Sequence, residues 1–212
     1  SDAFNPAAQQ FVALVLAADR TGKDPITQHT GAACKAFAPV DGIPMIIRVL
    51  DTLMACNQIS SVILCGPPES LHAHCPELKQ RIASGQVKWL PNLNSPSRSA
   101  ESGLNHVSSN TPVLLTTADH ALLTPGIVQN FLQKSLAANS DATVGAINQN
   151  VIAAAFPNAK RTVIRLSDGG FCGCNLFTFK PQGRSVVKFW RKAEDLRKRP
   201  WRLIAQVLGF KT

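Results

Sequence analysis

Gly22, Lys23, Gly31 and Lys35 lie in a polar loop that follows an apolar run, Phe11 to Ala18, and precedes a stretch of helical periodicity from Ile43 to Met54. A strand, a loop and a helix in this order bring backbone N–H groups and cations up to an anion: glycine permits the close approach and lysine supplies the charge. The chemistry implied is the holding of a nucleoside triphosphate. The loop does not match G-x-x-x-x-G-K-[ST], and no G-x-G-x-x-G follows the run, so neither the P-loop nor the dinucleotide fingerprint applies. Asp119 is the second candidate. Val113 to Thr117 reads as a buried strand, and Ala118-Asp119-His120 falls just beyond its carboxyl end. A carboxylate there suits the Mg²⁺ that accompanies a triphosphate, since magnesium takes carboxylate oxygen and water. The competing reading is that Asp119 caps a turn before the next helix.

The elements that would position these groups recur in order. Strands are expected near 11–17, 60–65, 86–90, 112–117, 142–147, 162–167 and 173–179. Helices are expected over 43–54 with Pro44 in the first turn, over 97–107, and over 124–136 with Thr124 as N-cap and Pro125 at the first helical position. Strands alternating with helices imply a mostly parallel sheet covered on both faces, with its ligand at the carboxyl ends of the strands. The loops after residues 17, 65, 90 and 117 should then converge on one cleft. From about residue 148 the alternation gives way to two adjacent strands around Ser167-Asp168-Gly169-Gly170 and a long basic helix. The 212 residues read as one α/β domain, 1–147 forming a nucleotide-binding half and 148–212 an acceptor-side half. The chain stops at Leu208-Gly209-Phe210 within what reads as a helix and turn, as a truncated chain would.

Composition narrows the class. With 45% hydrophobic and 17% charged residues the chain is too apolar for disorder, and it holds no apolar stretch long enough for a membrane span. With no secretory leader at its start, a cytoplasmic location is expected. The six cysteines, at 34, 56, 65, 75, 172 and 174, read as reduced core thiols, and His72-Ala-His74-Cys75 as surface sequence in place of a zinc site. Of the net charge of +9, residues 180–212 carry +8 with ten Lys/Arg against two acids. No aromatic platform or recognition motif accompanies that charge, so a nucleic-acid partner is not expected. Val186, Val187, Trp190, Ala193 and Leu196 should form one buried stripe under a solvated cationic face, which leaves weak contact with an anionic surface open for 184–202.

The residues also carry a resemblance. Leu16-Ala-Ala-Asp-Arg-Thr-Gly-Lys-Asp-Pro25 and Lys35 in CKAFAPVDGIP resemble the N-terminal signature of MobA-like nucleotidyltransferases, LAAG-R-x-G-x-x-DP followed by K-x-x-x-P-V-x-G-x-P-M. Asp19 stands where that family usually has glycine. TTADHALLTP matches the family segment whose aspartate binds metal, which implies that role for Asp119. The resemblance implies a nucleotidyltransferase (glycosyltransferase-A-like, Rossmann-like) fold over nearly all of residues 11–210. The activity it implies is Mg²⁺-dependent transfer of a nucleoside monophosphate from an NTP to a phosphorylated small-molecule acceptor, with release of pyrophosphate. Lys35, Arg20 and Asp119 would be catalytic. Ala17, Ala18, Asp19, Gly22 and Lys23 would meet the nucleotide, with Ser97, Arg98 and Ser99 on the base side. Asp168, Gly170 and Asn175, in a segment like the family's GG-F-S-G-x-N, would face the acceptor. The family's second metal-binding carboxylate has no counterpart after Asp195. A nucleotide-sugar-dependent glycosyltransferase and a non-catalytic nucleotide-binding module are the alternative readings of the same fold.

Overall fold

Phe11–Leu16 is apolar at every position, so it is satisfied only where both of its faces are covered. In the computed structural model, which describes residues 10–17, 24–159 and 161–197, this segment is β1 and lies inside a seven-stranded sheet. The chain continues through α1 (Pro25–Thr30), a 3-10 turn (Lys35–Phe37), β2 (Pro39–Val40), β3 (Ile43–Pro44), α2 (Met45–Met54), β4 (Ile59–Cys65), a 3-10 segment (Glu69–His74), α3 (Pro76–Ala83) and β5 (Val87–Leu90). There follow α4 (Pro96–Leu104), β6 (Val113–Thr117), α5 (Pro125–Ala137), β7 (Ala142–Asn148), α6 (Gln149–Ala155), β8 (Ile164–Leu166), β9 (Gly169–Phe179), a 3-10 turn (Pro181–Arg184) and α7 (Ser185–Arg197).

The strand order is β5-β4-β1-β6-β9-β7, with β8 also paired to β9. β1 is parallel to β4 and β6, and β4 to β5, while β9 is antiparallel to each of its neighbours. Within this sheet β9 alone runs against the rest, so the expected mostly parallel sheet flanked by helices is the one observed. Alternation along β1 sends Phe11, Ala13 and Val15 into a core shared with α2, α3 and α5, and Leu14 and Leu16 into a second core beneath α4 and α7. Gly103 lets α4 approach the sheet closely: a Cβ at this position would stand 2.9 Å from Leu14 Cδ2 and 3.2 Å from Cys65 Sγ. All six cysteines are free and five are buried, as core thiols should be; burial pushes the Cys65 thiol up to about 12.

Four local expectations are corrected. The helix expected over 43–54 begins at Met45, because Asp41 and Gly42, with φ of 52° and 75°, form a tight turn that pairs Ile43-Pro44 with Pro39-Val40 before the helix can start. The loop containing Gly31 holds α1: Asp24 accepts the Ile26 N–H, Pro25 opens the helix, and Gly31 closes it at φ 69°. The turn between the last two strands is Ser167-Asp168, and Gly169 and Gly170 belong to β9 because Leu166 pairs with Gly169. His72 and Cys75 are buried, unlike surface sequence. The His72 ring lies edge-on to Trp89 with centroids 5.1 Å apart, and its Nε2 is 3.2 Å from the Pro67 carbonyl. Among the described residues no three His, Cys, Asp or Glu side chains are grouped as a metal site would need.

Gly103→Ala is expected to destabilise the fold by about 1–3 kcal/mol through overpacking, less the ~1 kcal/mol that alanine returns to a helix interior. Leu14→Ala alone should cost about 2–5 kcal/mol. In the double variant the Gly103→Ala penalty should vanish, because the shortened side chain vacates the space the new methyl needs. A urea-denaturation double-mutant cycle reads this coupling, and additive costs would place the contact elsewhere.

Candidate active site

Ala118 N–H donates to the Leu16 carbonyl at 2.9 Å, and Ala17 N–H to the Cys65 carbonyl at 2.9 Å. These bonds are the last of the regular ladders joining β1 to β4 and β6 among the described residues. The space beyond them is a cleft of about 380 Å³, lined from β1 by Ala17, from α1's cap by Asp24, from the 3-10 turn by Lys35, from β6 and its loop by Thr116 to Asp119, and from β9 by Asn175. Ala17 and Asp24 bracket the phosphate-loop candidates; Ala18, Asp19, Arg20, Gly22 and Lys23 themselves lie outside the described residues.

Lys35 is aimed by its neighbours. Ala36 and Phe37 are buried in the core, and the Phe37 and Ala38 amides close the turn onto the carbonyls of Cys34 and Lys35. The Lys35 ammonium stands 2.5 Å from Asp119 Oδ2, both side chains about one-third exposed. Burial pushes the Asp119 carboxyl upward, but the Lys35 ammonium, with the Thr117 hydroxyl and a backbone amide, more than offsets this and holds it below its ordinary value. His120, beside it, is lowered by burial, so the imidazole is neutral. The Thr117 hydroxyl beside Asp119 also helps to lower that carboxyl, and His120 Nδ1 is buried with no hydrogen-bonding partner among the described residues.

The serine segment is built differently from its expected role. Ser95 is the N-cap of α4 and accepts the Arg98 N–H at 3.3 Å. Ser97 is buried with its hydroxyl 3.2 Å from Ser95 Oγ, and Ser99 Oγ accepts the Leu93 N–H at 2.8 Å. Ser97 and Ser99 thus hold the β5–α4 loop, Arg98 is half-buried beside them, and it is Pro96 that reaches the cleft.

Of the acceptor-side residues, Asn175 lines the cleft. Its backbone is held at φ 51°, and its carbonyl accepts the Thr116 hydroxyl at 2.8 Å, joining β9 to β6 beyond their last paired residues. Asp168 is in the β8–β9 turn and Gly170 packs near Gln149; neither lines the cleft. Phe177 and Trp190 line it and were not singled out as site residues in the sequence. Trp190 is brought there by α7, which is fastened to α4 by an Arg191–Glu101 pair at 2.5 Å and by Glu194, whose carboxylate accepts the Ser97 N–H at 3.3 Å. Lys188 and Lys192 are exposed as expected, whereas Val186, expected in the buried stripe, is 45% exposed; the side chains of Ala193 and Leu196 lie outside the described residues.

In a mostly parallel α/β sheet, a lysine–carboxylate pair in the crevice beyond the carboxyl ends of the strands lies where such folds hold their ligands. The model of the MobA-like NTP transferase domain matches residues 13–169, and the chain belongs to that nucleotidyltransferase family. A hypothetical transferase from Thermus thermophilus is 30% identical with a TM-score of 0.71, over 95% of this chain and 79% of that one. Two more distant structures share the fold. A 4-diphosphocytidyl-2C-methyl-D-erythritol synthase from Anaerococcus prevotii DSM 20548 is 12% identical with a TM-score of 0.60, over 86% and 76% of the two chains. A CMP:2-keto-3-deoxy-manno-octonic acid synthetase complexed with CTP is 14% identical with a TM-score of 0.57, over 94% and 87%. No curated protein sequence matches the chain. Among the described residues no helix is long and apolar enough to cross a membrane.

Lys35→Met should raise the Asp119 carboxyl, because burial is then opposed only by the Thr117 hydroxyl and a backbone amide. With Lys35 present, the lowered value means that Asp119 contributes stability above the unfolded carboxylate range and loses it as pH falls through the folded value. In the variant that contribution shrinks, so its deficit against the parent should be large at neutral pH and shrink on acidification. A ¹³C carboxyl titration by NMR, with urea midpoints at several pH values, measures both. An unmoved Asp119 titration would show that Lys35 does not set its charge.

Proposed function

We propose that this protein transfers a nucleoside monophosphate from an NTP to a phosphorylated acceptor, the acceptor's phosphate oxygen attacking the α-phosphorus as pyrophosphate leaves. The observation that carries the reading is the Lys35–Asp119 pair facing the cleft at the ends of β1 and β6. A pair of opposite charges a third exposed is poised to exchange partners: triphosphate oxygens can take the ammonium, freeing the carboxylate for a cation. The family membership and the resemblance to a CTP-bound synthetase fold support a nucleotide in this cleft.

The donors fit Mg²⁺. Magnesium is commonly held by one or two carboxylates, several waters and the substrate's own phosphates, and Asp119 offers such a carboxylate beside the Thr117 hydroxyl, with Asp24 also lining the cleft. When bound, the ion supplies neutralisation of the phosphate charge. Lys35 stabilises the charge that develops on the departing pyrophosphate, assisted by Arg20 and the loop of residues 18–23. The β5–α4 loop, held by Ser97 and Ser99, shapes the base side with Pro96 and Arg98. Asn175 presents an amide to the acceptor, which its donor and acceptor atoms suit. Neutral His120 lies close enough in sequence to tune Asp119 without competing for its charge. Asp168 and Gly170 act on the acceptor only as supports of the β8–β9 hairpin. No nucleophilic side chain is needed, because alignment and charge neutralisation account for such reactions.

Lys35→Ala should weaken NTP binding about ten- to a hundredfold, the roughly 1.5–3 kcal/mol of a charge-assisted contact, while binding of the parent nucleoside changes little. Asp119→Ala should abolish the Mg²⁺ dependence of NTP binding and leave the fold intact. Titrations with nucleoside and NTP, with and without Mg²⁺, together with pyrophosphate release on a panel of phosphorylated acceptors, test the reading. Equal losses for nucleoside and NTP, or an unchanged Mg²⁺ effect, would overturn these roles.

A further inference from the structure

The cleft does not end at Asn175. A second cavity of about 310 Å³ lies between α7 and the β7–β9 edge of the sheet, and Leu115, Phe177 and Trp190 line both. Its remaining walls are Ala142, Thr143, Val144, Phe179, Val186 and Val187, so beyond the shared residues it is apolar except for one threonine hydroxyl. Val144 is 57% and Val186 45% exposed, which leaves this groove open along its length. A polar, charged chamber that adjoins an apolar trough is complementary to a phosphate head on an aliphatic chain.

Resting on the nucleotidyl-transfer reading above, we infer that the acceptor is an alkyl phosphate amphiphile, its phosphate in the cleft by Asn175 and its chain in the groove under α7. In the reaction a phosphate oxygen of the alkyl phosphate bonds to the α-phosphorus of the NTP, the bond from that phosphorus to the β-phosphate bridging oxygen breaks, and pyrophosphate departs with the electron pair. The product is a nucleoside diphosphate ester of the chain. Trp190 lines both chambers, so α7 forms the wall that selects for the chain.

The test uses the full chain with a non-hydrolysable NTP analogue and Mg²⁺, and titrates ethyl, butyl and octyl phosphate below their micellar concentrations. Burying a methylene should tighten binding about three- to fourfold, so affinity should climb steeply along the series until the groove is filled. Val144→Asp and Val186→Asp alter exposed groove positions outside the charged cleft, and each should flatten that gradient while NTP-analogue affinity and the urea midpoint hold. Binding of the analogue with no dependence on chain length overturns the inference alone, and so does a gradient that both variants retain. A gradient that appears only when residues 198–212 are removed would assign the groove to that segment and overturn it equally. Failure of the analogue to bind at all would overturn nucleotidyl transfer, and this inference with it.

Discussion

Two parallel strands that end side by side set the constraint on which the site depends. β1 and β6 pair from Val12↔Val113 to Leu16↔Thr117, and the last backbone bond between them, Ala118 to Leu16, falls just before Asp119. Both strands are buried on both faces, so neither can shift register without moving a full set of apolar side chains. Asp119 is therefore delivered to one place, and Lys35 is delivered to the same place from 84 residues away by a turn whose next two residues are anchored in the core. The charges meet because the cores on either side leave them no other position. Each offsets part of the other's desolvation, which allows a lysine and a carboxylate to sit side by side, partly buried.

The helix α7 turns this edge of a sheet into an enclosed site. Its start is pinned by Arg184, whose guanidinium donates to the carbonyls of Val107, Ser108 and Thr111, and its far end is pinned through Arg191 and Glu194 to α4. Val187 is buried between these anchors and Trp190 is held over the cleft. Glu194 also accepts the Ser97 N–H in the first turn of α4, where a carboxylate is favoured by the unpaired amides and the helix dipole. The same contact commits that amide, so Ser97 acts in the β5–α4 loop through its packing and not as a free donor.

What could be read from the chain beforehand follows the range of the interactions. β1, β6 and α5 are legible because alternation, apolar runs and the Thr124-Pro125 start are local signals. Asp119 is legible because its place after a buried strand is also local. The Asp24-Pro25 cap with Gly31, and the Asp41-Gly42 turn, are equally local, and both were available in the sequence as a helix boundary and a hairpin. The burial of His72 and Cys75 was not, since it depends on Trp89 and on the carbonyl of Pro67 arriving from other elements. Nor was Trp190, because the pair that seats its helix joins residues 90 apart. A helical wheel places it on an apolar stripe, yet the stripe does not say which side faces a core and which a cavity, and Val186 on the same stripe stays exposed.

The one strand that runs against the sheet explains how a polar chamber and an apolar groove come to be continuous. A parallel strand can offer a cleft only its carboxyl end, whereas β9, antiparallel to β6, passes the cleft in mid-strand and carries on into the sheet. Asn175 meets the cleft where β9 departs from regular extended geometry, and Phe177 and Phe179, two and four residues further on, turn to the face that α7 covers while Leu176 goes to the opposite core. The Thr116 hydroxyl fixes that departure by donating to the Asn175 carbonyl, so the change from polar to apolar lining falls at a defined point along the strand. Polarity in this site is thus graded along one backbone, and any ligand that spans both chambers must carry the same gradient along its own length.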